Sequence, residues 1–135
     1  MLITEVKRNI SKVVVIIFMK PNESFLISSR PKGKSFPGYW EFPGGKVEKN
    51  ETLLEAIIRE CKEEVSVIPS KNNLFFFDQH FLVEGEKKMV VNLFKCTSWI
   101  GHFVPREGQV IKWIFKKDVE KFKFLDLNYN FFKKI

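Results

Sequence analysis

Glu60, Glu63 and Glu64 stand at i, i+3 and i+4 of an apolar-periodic segment, close enough to repel one another if that segment is helical. On a wheel with Ile57 at zero, stepping roughly 100° per residue, they fall near −60°, −120° and −20°. Leu53, Leu54, Ile58, Cys61 and Val65 occupy an arc from roughly −40° to +100°, which is the expected core face. Glu64 therefore lies inside the apolar arc, with Glu60 and Glu63 flanking it beside Ala56. Glu51, Glu55, Arg59 and Lys62 group on a solvent-like face, where opposite charges can pair. No basic residue shares the stripe of the three glutamates. A partly desolvated carboxylate stripe is costly unless something supplies positive charge. A solvated acidic face with Glu64 bent outward is the plain alternative. The chemical reading is a hard divalent cation, Mg²⁺ or Mn²⁺, which takes oxygen ligands and leaves positions open for phosphate oxygens.

The elements that must hold these carboxylates can be read from pattern and punctuation. Thr52-x-x-Glu55 is a capping box that starts a helix over Leu53–Val65. Before it, Lys12–Met19 and Ser24–Ser29 read as strands joined through Pro21-Asn22-Glu23 as a hairpin. Arg30–Tyr39 is a loop by its Pro and Gly content, Trp40–Phe42 is a short extended piece, and Pro43-Gly44-Gly45 is a turn. After the helix, Leu74–Val83 and Lys88–Thr97 read as strands around Glu84-Gly85-Glu86. Trp99–Gly108 is expected as a loop, Gln109–Phe115 as a strand, and Asp118–Phe124 and Asn128–Ile135 as short helices. Strands on both sides of a helix, with helices at the end, predict a mixed α/β layered fold.

Composition narrows the function classes. The 135 residues suffice for one domain with a real core, and neither repeats nor linkers divide residues 1–135. The apolar run Val13–Met19 is too short to cross a bilayer and no signal-type cleavage site follows it, so a membrane partner is not expected and a cytoplasmic location is. Cys61 and Cys96 lack metal-type spacing and are expected to be reduced thiols. The net charge of +7 comes mostly from lysine, with only Arg8, Arg30, Arg59 and Arg106 as arginines. No stretch interleaves arginine with aromatics, so no stable nucleic-acid partner is expected. A basic protein would still attract a small polyanion. His80 and His102 have no partner spacing and receive no role.

The segment Gly45-x5-Glu51-x7-Arg59-Glu60-Cys61-Lys62-Glu63-Glu64-Val65-Ser66-Val67 resembles the Nudix box, Gly-x5-Glu-x7-Arg-Glu-U-x-Glu-Glu-x-Gly-U, with U aliphatic. Two positions depart from it. Cys61 replaces an aliphatic residue, which is mild because a buried thiol packs as a small hydrophobe. Ser66 replaces the last glycine, whose left-handed conformation ends the helix, at about 1 kcal/mol. The resemblance extends from about Lys12 to Ile135 and is greatest to MutT-type pyrophosphohydrolases. Trp40–Glu48 is similar to their WEFPGGKVE, and Arg106-Glu107-Gly108-Gln109 to the loop that carries a further catalytic glutamate. Asn128-Tyr129-Asn130 stands where that group has Asn-x-Pro.

The resemblance implies a Nudix α/β/α sandwich with a mixed β-sheet, acting as a monomer on a nucleoside triphosphate. The Gly44 carbonyl and Glu60, Glu63, Glu64 and Glu107 would surround the metal, Mg²⁺ or Mn²⁺. Arg59 would orient the glutamates, Lys46 would lie near phosphate, and Arg30, Phe42 and Asn128 would face the nucleotide. Each has a bland counterpart: Phe42 as core, Lys46 as surface, and Arg30 as a solvated loop residue. Glu48 and Glu51 read as structural acids near the helix start. The implied reaction is hydrolysis of 8-oxo-dGTP at the β-phosphate to the monophosphate and pyrophosphate, with Glu64 and Glu107 competing as base. Rival readings are another Nudix substrate (CTP or dCTP, a dinucleoside polyphosphate, capped RNA) and a nucleotide-binding domain without turnover.

Overall fold

The structure is a computed structural model that describes residues 10–125, 131, 132 and 135, with Glu84 described for its backbone alone. Two sheets share the interior. The first has the order β4-β1-β7-β6, built from β1 (Ile10–Phe18), β4 (Gly44–Lys46), β6 (Leu74–Glu84) and β7 (Lys87–Cys96). It is mixed: β1 and β7 run parallel from Ile10↔Lys88 to Phe18↔Cys96, while the other pairs are antiparallel. The second sheet is antiparallel, β3 (Trp40–Glu41), β2 (Phe25–Ser29) and β9 (Ile111–Ile114), in the order β3-β2-β9.

The apolar run of β1 is explained by burial on both faces. Val14, Ile16 and Phe18 pack against helix α1 (Leu53–Val65), together with Ala56, Ile57, Cys61 and Val65. Val15, Ile17 and Met19 face the other way, into a core with Phe25, Ile27, Phe42, Val91, Leu93, Phe124, Phe131 and Phe132. The α/β Nudix architecture expected from sequence is present: a mixed sheet with α1 on one side and few helices besides.

The capping box forms as read, with the Glu55 amide donating to Thr52 Oγ1 at 3.1 Å and the Thr52 amide to Glu55 Oε1 at 3.0 Å. The buried stripe of α1, however, is rotated from the wheel's prediction. Ala56 is fully buried, whereas Leu53, Leu54 and Ile58 are only half-buried. The shift carries the core face toward Glu60 and Glu64, because β4 lies on that side.

Four other expectations need correction. The β1–β2 connection is a tight turn, with the Lys20 amide donating to the Ser24 carbonyl at 2.9 Å, yet the two strands diverge into different sheets after one Met19↔Phe25 bridge. Both edges of β1 are already occupied by β4 and β7, so β2 pairs elsewhere. Pro43-Gly44-Gly45 is not a free turn: Gly44 and Gly45 begin β4, and a Cβ on Gly44 would collide with the Val14 carbonyl. Only glycine allows that approach. Within the expected loop, β8 (Trp99–Ile100) pairs with β5 (Ile68–Pro69), a ladder too short to leave a periodic signal. The expected Asp118–Phe124 helix is a 3-10 helix over Lys116–Lys121. Of the last expected helix, Phe131 and Phe132 are helical, Ile135 is not, and the rest lies outside the described residues.

Candidate active site

A cleft of about 490 Å³ opens between α1, β4 and the loop that follows β2. Its lining includes Gly44, Glu60, Glu63, Glu64 and Glu107, the whole expected metal set, with Arg30, Lys34, Glu41, Phe42 and Lys46. Asn128 lies outside the described residues.

Arg59 organises the helix side. Its Nε and Nη2 bond the Glu51 carboxylate at 2.7 and 2.9 Å, Nη2 also donates to the Lys46 carbonyl at 2.9 Å, and Nη1 reaches Glu60 at 2.9 Å and Glu63 at 3.4 Å. Glu60 and Glu63 therefore do have a basic partner. Glu63 is one turn from Arg59, at a spacing where opposite charges pair, and Glu60 is its neighbour in sequence, which the long Arg59 side chain reaches across the diverging positions. Glu51 is structural, as read: its hydrogen bond from Arg59 holds its carboxyl down at about 2. Arg30 lines the cleft and pairs with Glu41 at 3.0 Å. Phe42 is 3% exposed and packs in the core against Phe25, and it also lines the cleft.

Glu64 is half-buried and accepts the Gly44 amide at 3.0 Å. Burial, then the charges of Glu60 and Glu107, push its carboxyl up to about 9. Burial also pushes Glu60 up, against the pull of Arg59. Gly45 presses so closely that a Cβ there would strike the Glu60 carboxylate. The cleft is thus short of positive charge, and its donors are all oxygens, which fits a hard divalent cation. Among the described residues no group of three or more acidic, histidine or cysteine side chains is already arranged to hold a metal ion.

Glu107 reaches the cleft through a connection the sequence did not reveal. The carbonyls at the end of α1 are capped by the 101–110 loop: the Val104 amide donates to Val65 O at 2.9 Å and the Arg106 amide to Glu64 O at 3.0 Å. Gln109 completes the join, its Nε2 donating to Glu64 O at 2.8 Å while its Oε1 accepts the Glu107 amide at 2.7 Å. It is 8% exposed. The sequence carries no signal for this join, because the burial of Gln109 is visible only in the folded chain.

The NUDIX domain family matches residues 9–134. The chain is 35% identical over 114 residues to an 8-oxo-dGTP diphosphatase of Buchnera aphidicola from Schizaphis graminum, covering 84% of each chain. It is 30% identical over 102 residues to an 8-oxo-dGTP diphosphatase of Proteus vulgaris, covering 76% of this chain and 88% of that one. Among solved structures it is similar to a MutT from work on Aliivibrio salmonicida and Vibrio cholerae, with a TM-score of 0.80 and 27% identity over 93% of this chain and 95% of that one.

Proposed function

The chain belongs to the NUDIX domain family, and on that premise we propose that it hydrolyses 8-oxo-dGTP to 8-oxo-dGMP and pyrophosphate, clearing oxidised nucleotide from the cytoplasmic pool. The observation that carries this reading is the convergence of Glu60, Glu63, Glu64 and Glu107 on one cleft that also holds cationic side chains. The diphosphatase relatives support the choice of substrate.

Glu60, Glu63, Glu64 and Glu107, with the Gly44 carbonyl, would hold the cation, Mg²⁺ in our reading. When bound, it neutralises phosphate charge and polarises the phosphoanhydride. The protein's own contribution is positional. Arg59 fixes the rotamers of Glu60 and Glu63 and ties α1 to β4. The Gly44 amide aims Glu64 into the cleft. Glu64 and Glu107 are the carboxylates available to take a proton from the attacking water, and separate Gln variants of the two assign that step. Asn128, read from sequence as facing the base, offers both a donor and acceptors. In 8-oxoguanine N7 becomes a donor, so a site matched to it leaves a polar group unpaired against guanine, at a cost of about 1–3 kcal/mol.

The test is metal-dependent pyrophosphate release over a panel of 8-oxo-dGTP, dGTP, CTP, dCTP, dinucleoside polyphosphates and capped RNA. A much lower KM for 8-oxo-dGTP than for dGTP, eroded by Asn128→Ala with metal dependence intact, is the expected result. Equal use of the two purines would favour a pyrimidine triphosphate instead, and binding without turnover would leave a nucleotide-binding domain.

A further inference from the structure

Lys34 is the residue that the sequence reading passed over and the cleft singles out. It lines the cleft and also a smaller recess formed with Ser28, Glu41, Glu64, Glu107 and Gln109. Its ammonium lies 3.6 Å from Glu107 Oε2 in an exposed ion pair. That is well beyond the roughly 2.7–2.9 Å of a tight charge-assisted bond, so the partner is easily exchanged.

The segment that carries Lys34 is held in place, and Arg30 holds it. Arg30 Nε donates to the Ser35 carbonyl at 3.0 Å and Nη2 to Ser35 Oγ at 3.0 Å, while Nη1 is anchored on Glu41 of β3. The Lys34 amide closes a turn onto the Pro31 carbonyl at 3.3 Å. Arg30 thus ties its own loop to β3, and the residue beside Ser35 is a lysine at the cleft.

Charge decides what that lysine is for. The cleft is lined by Glu41, Glu60, Glu63, Glu64 and Glu107 against Arg30, Lys34 and Lys46. Arg30 is neutralised by Glu41, which leaves two lysines to meet a polyanionic substrate. Lysine suits the task because its three donors rotate freely and need no bidentate geometry. Resting on the triphosphatase reading above, we propose that Lys34 binds the phosphate chain of the substrate, exchanging Glu107 for a phosphate oxygen, and that Arg30 serves as its positioning residue.

The test is calorimetric binding of a non-hydrolysable nucleoside triphosphate with Mg²⁺, and of the corresponding nucleoside, to wild type, Lys34→Met and Lys34→Arg. Lys34→Met should weaken the triphosphate about tenfold, the change expected for one lost charged contact. It should leave nucleoside binding and the thermal midpoint as in wild type, and Lys34→Arg should recover most of the loss. Equal triphosphate affinity in wild type and Lys34→Met, or an equal loss for nucleoside and triphosphate, would overturn the assignment while the triphosphatase reading stands. A wild type that neither binds nor cleaves any triphosphate would overturn both.

Discussion

Replacing Ser66 by glycine should stabilise the protein, and the size of the effect follows from how α1 ends. Ser66 sits at φ 64°, ψ 25°, in the left-handed region. A residue with a Cβ pays about 1–2 kcal/mol for that conformation. Glycine avoids it but loses about 0.5–1 kcal/mol more backbone entropy on folding. The variant also loses the bond from Arg106 Nη1 to Ser66 Oγ, 3.2 Å long and exposed, worth about 0.5 kcal/mol. The net gain is then up to about 1 kcal/mol. Ser66→Ala is the informative control, because it loses the same bond yet keeps the strained backbone. The two variants should differ by about 1 kcal/mol with glycine the more stable, a gap of about 2–4 °C in thermal midpoint. Urea denaturation of the three proteins gives the comparison directly. An alanine variant as stable as the glycine one would mean that the left-handed cap carries no strain, and the reasoning would fail.

Glu64→Gln should abolish nearly all turnover in the pyrophosphate assay while the fold survives; activity within about tenfold of wild type would remove Glu64 from the metal set. Because the folded protein holds the Glu64 proton up to about 9 against an ordinary 4.5, between those values it binds more protons than the unfolded chain. Metal-free stability should therefore fall as pH rises across that window, and Glu64→Gln should flatten the fall in pH-dependent melting curves. Glu51 has the opposite sign: its carboxyl, held at about 2 by Arg59, contributes stability above 4.5 that is lost as pH drops toward 2. Glu51→Gln should remove that part of the acid-denaturation slope. Gln109→Leu should cost about 1 kcal/mol by removing its bonds to the Glu64 carbonyl and the Glu107 amide, and should lower turnover in the pyrophosphate assay by loosening the segment that carries Glu107.

Much of the site was legible because its determinants are local. The spacing of Glu60, Glu63 and Glu64 is a property of any helix, and the Thr52–Glu55 box starts that helix whatever surrounds it. The left-handed end at Ser66 was legible for the same reason, since it follows from a departure at one position of a known pattern. The unbroken apolar run Val13–Phe18 within β1 already marked a buried strand.

What only the tertiary structure decided depends on which distant groups meet. Arg59 pairs with Glu51, which shares its face of the wheel, but also with the Lys46 carbonyl of a strand, a contact that no wheel can contain. β1 and β2 separate because β4 and β7 claim the edges of β1. The close passage of Gly44 along β1 and the bridge that Gln109 makes from the end of α1 to Glu107 both arise between segments remote in sequence. Periodicity reports the environment along one element. The partner across the gap is chosen by packing, where the backbone groups of one segment must be satisfied by whatever another brings within reach.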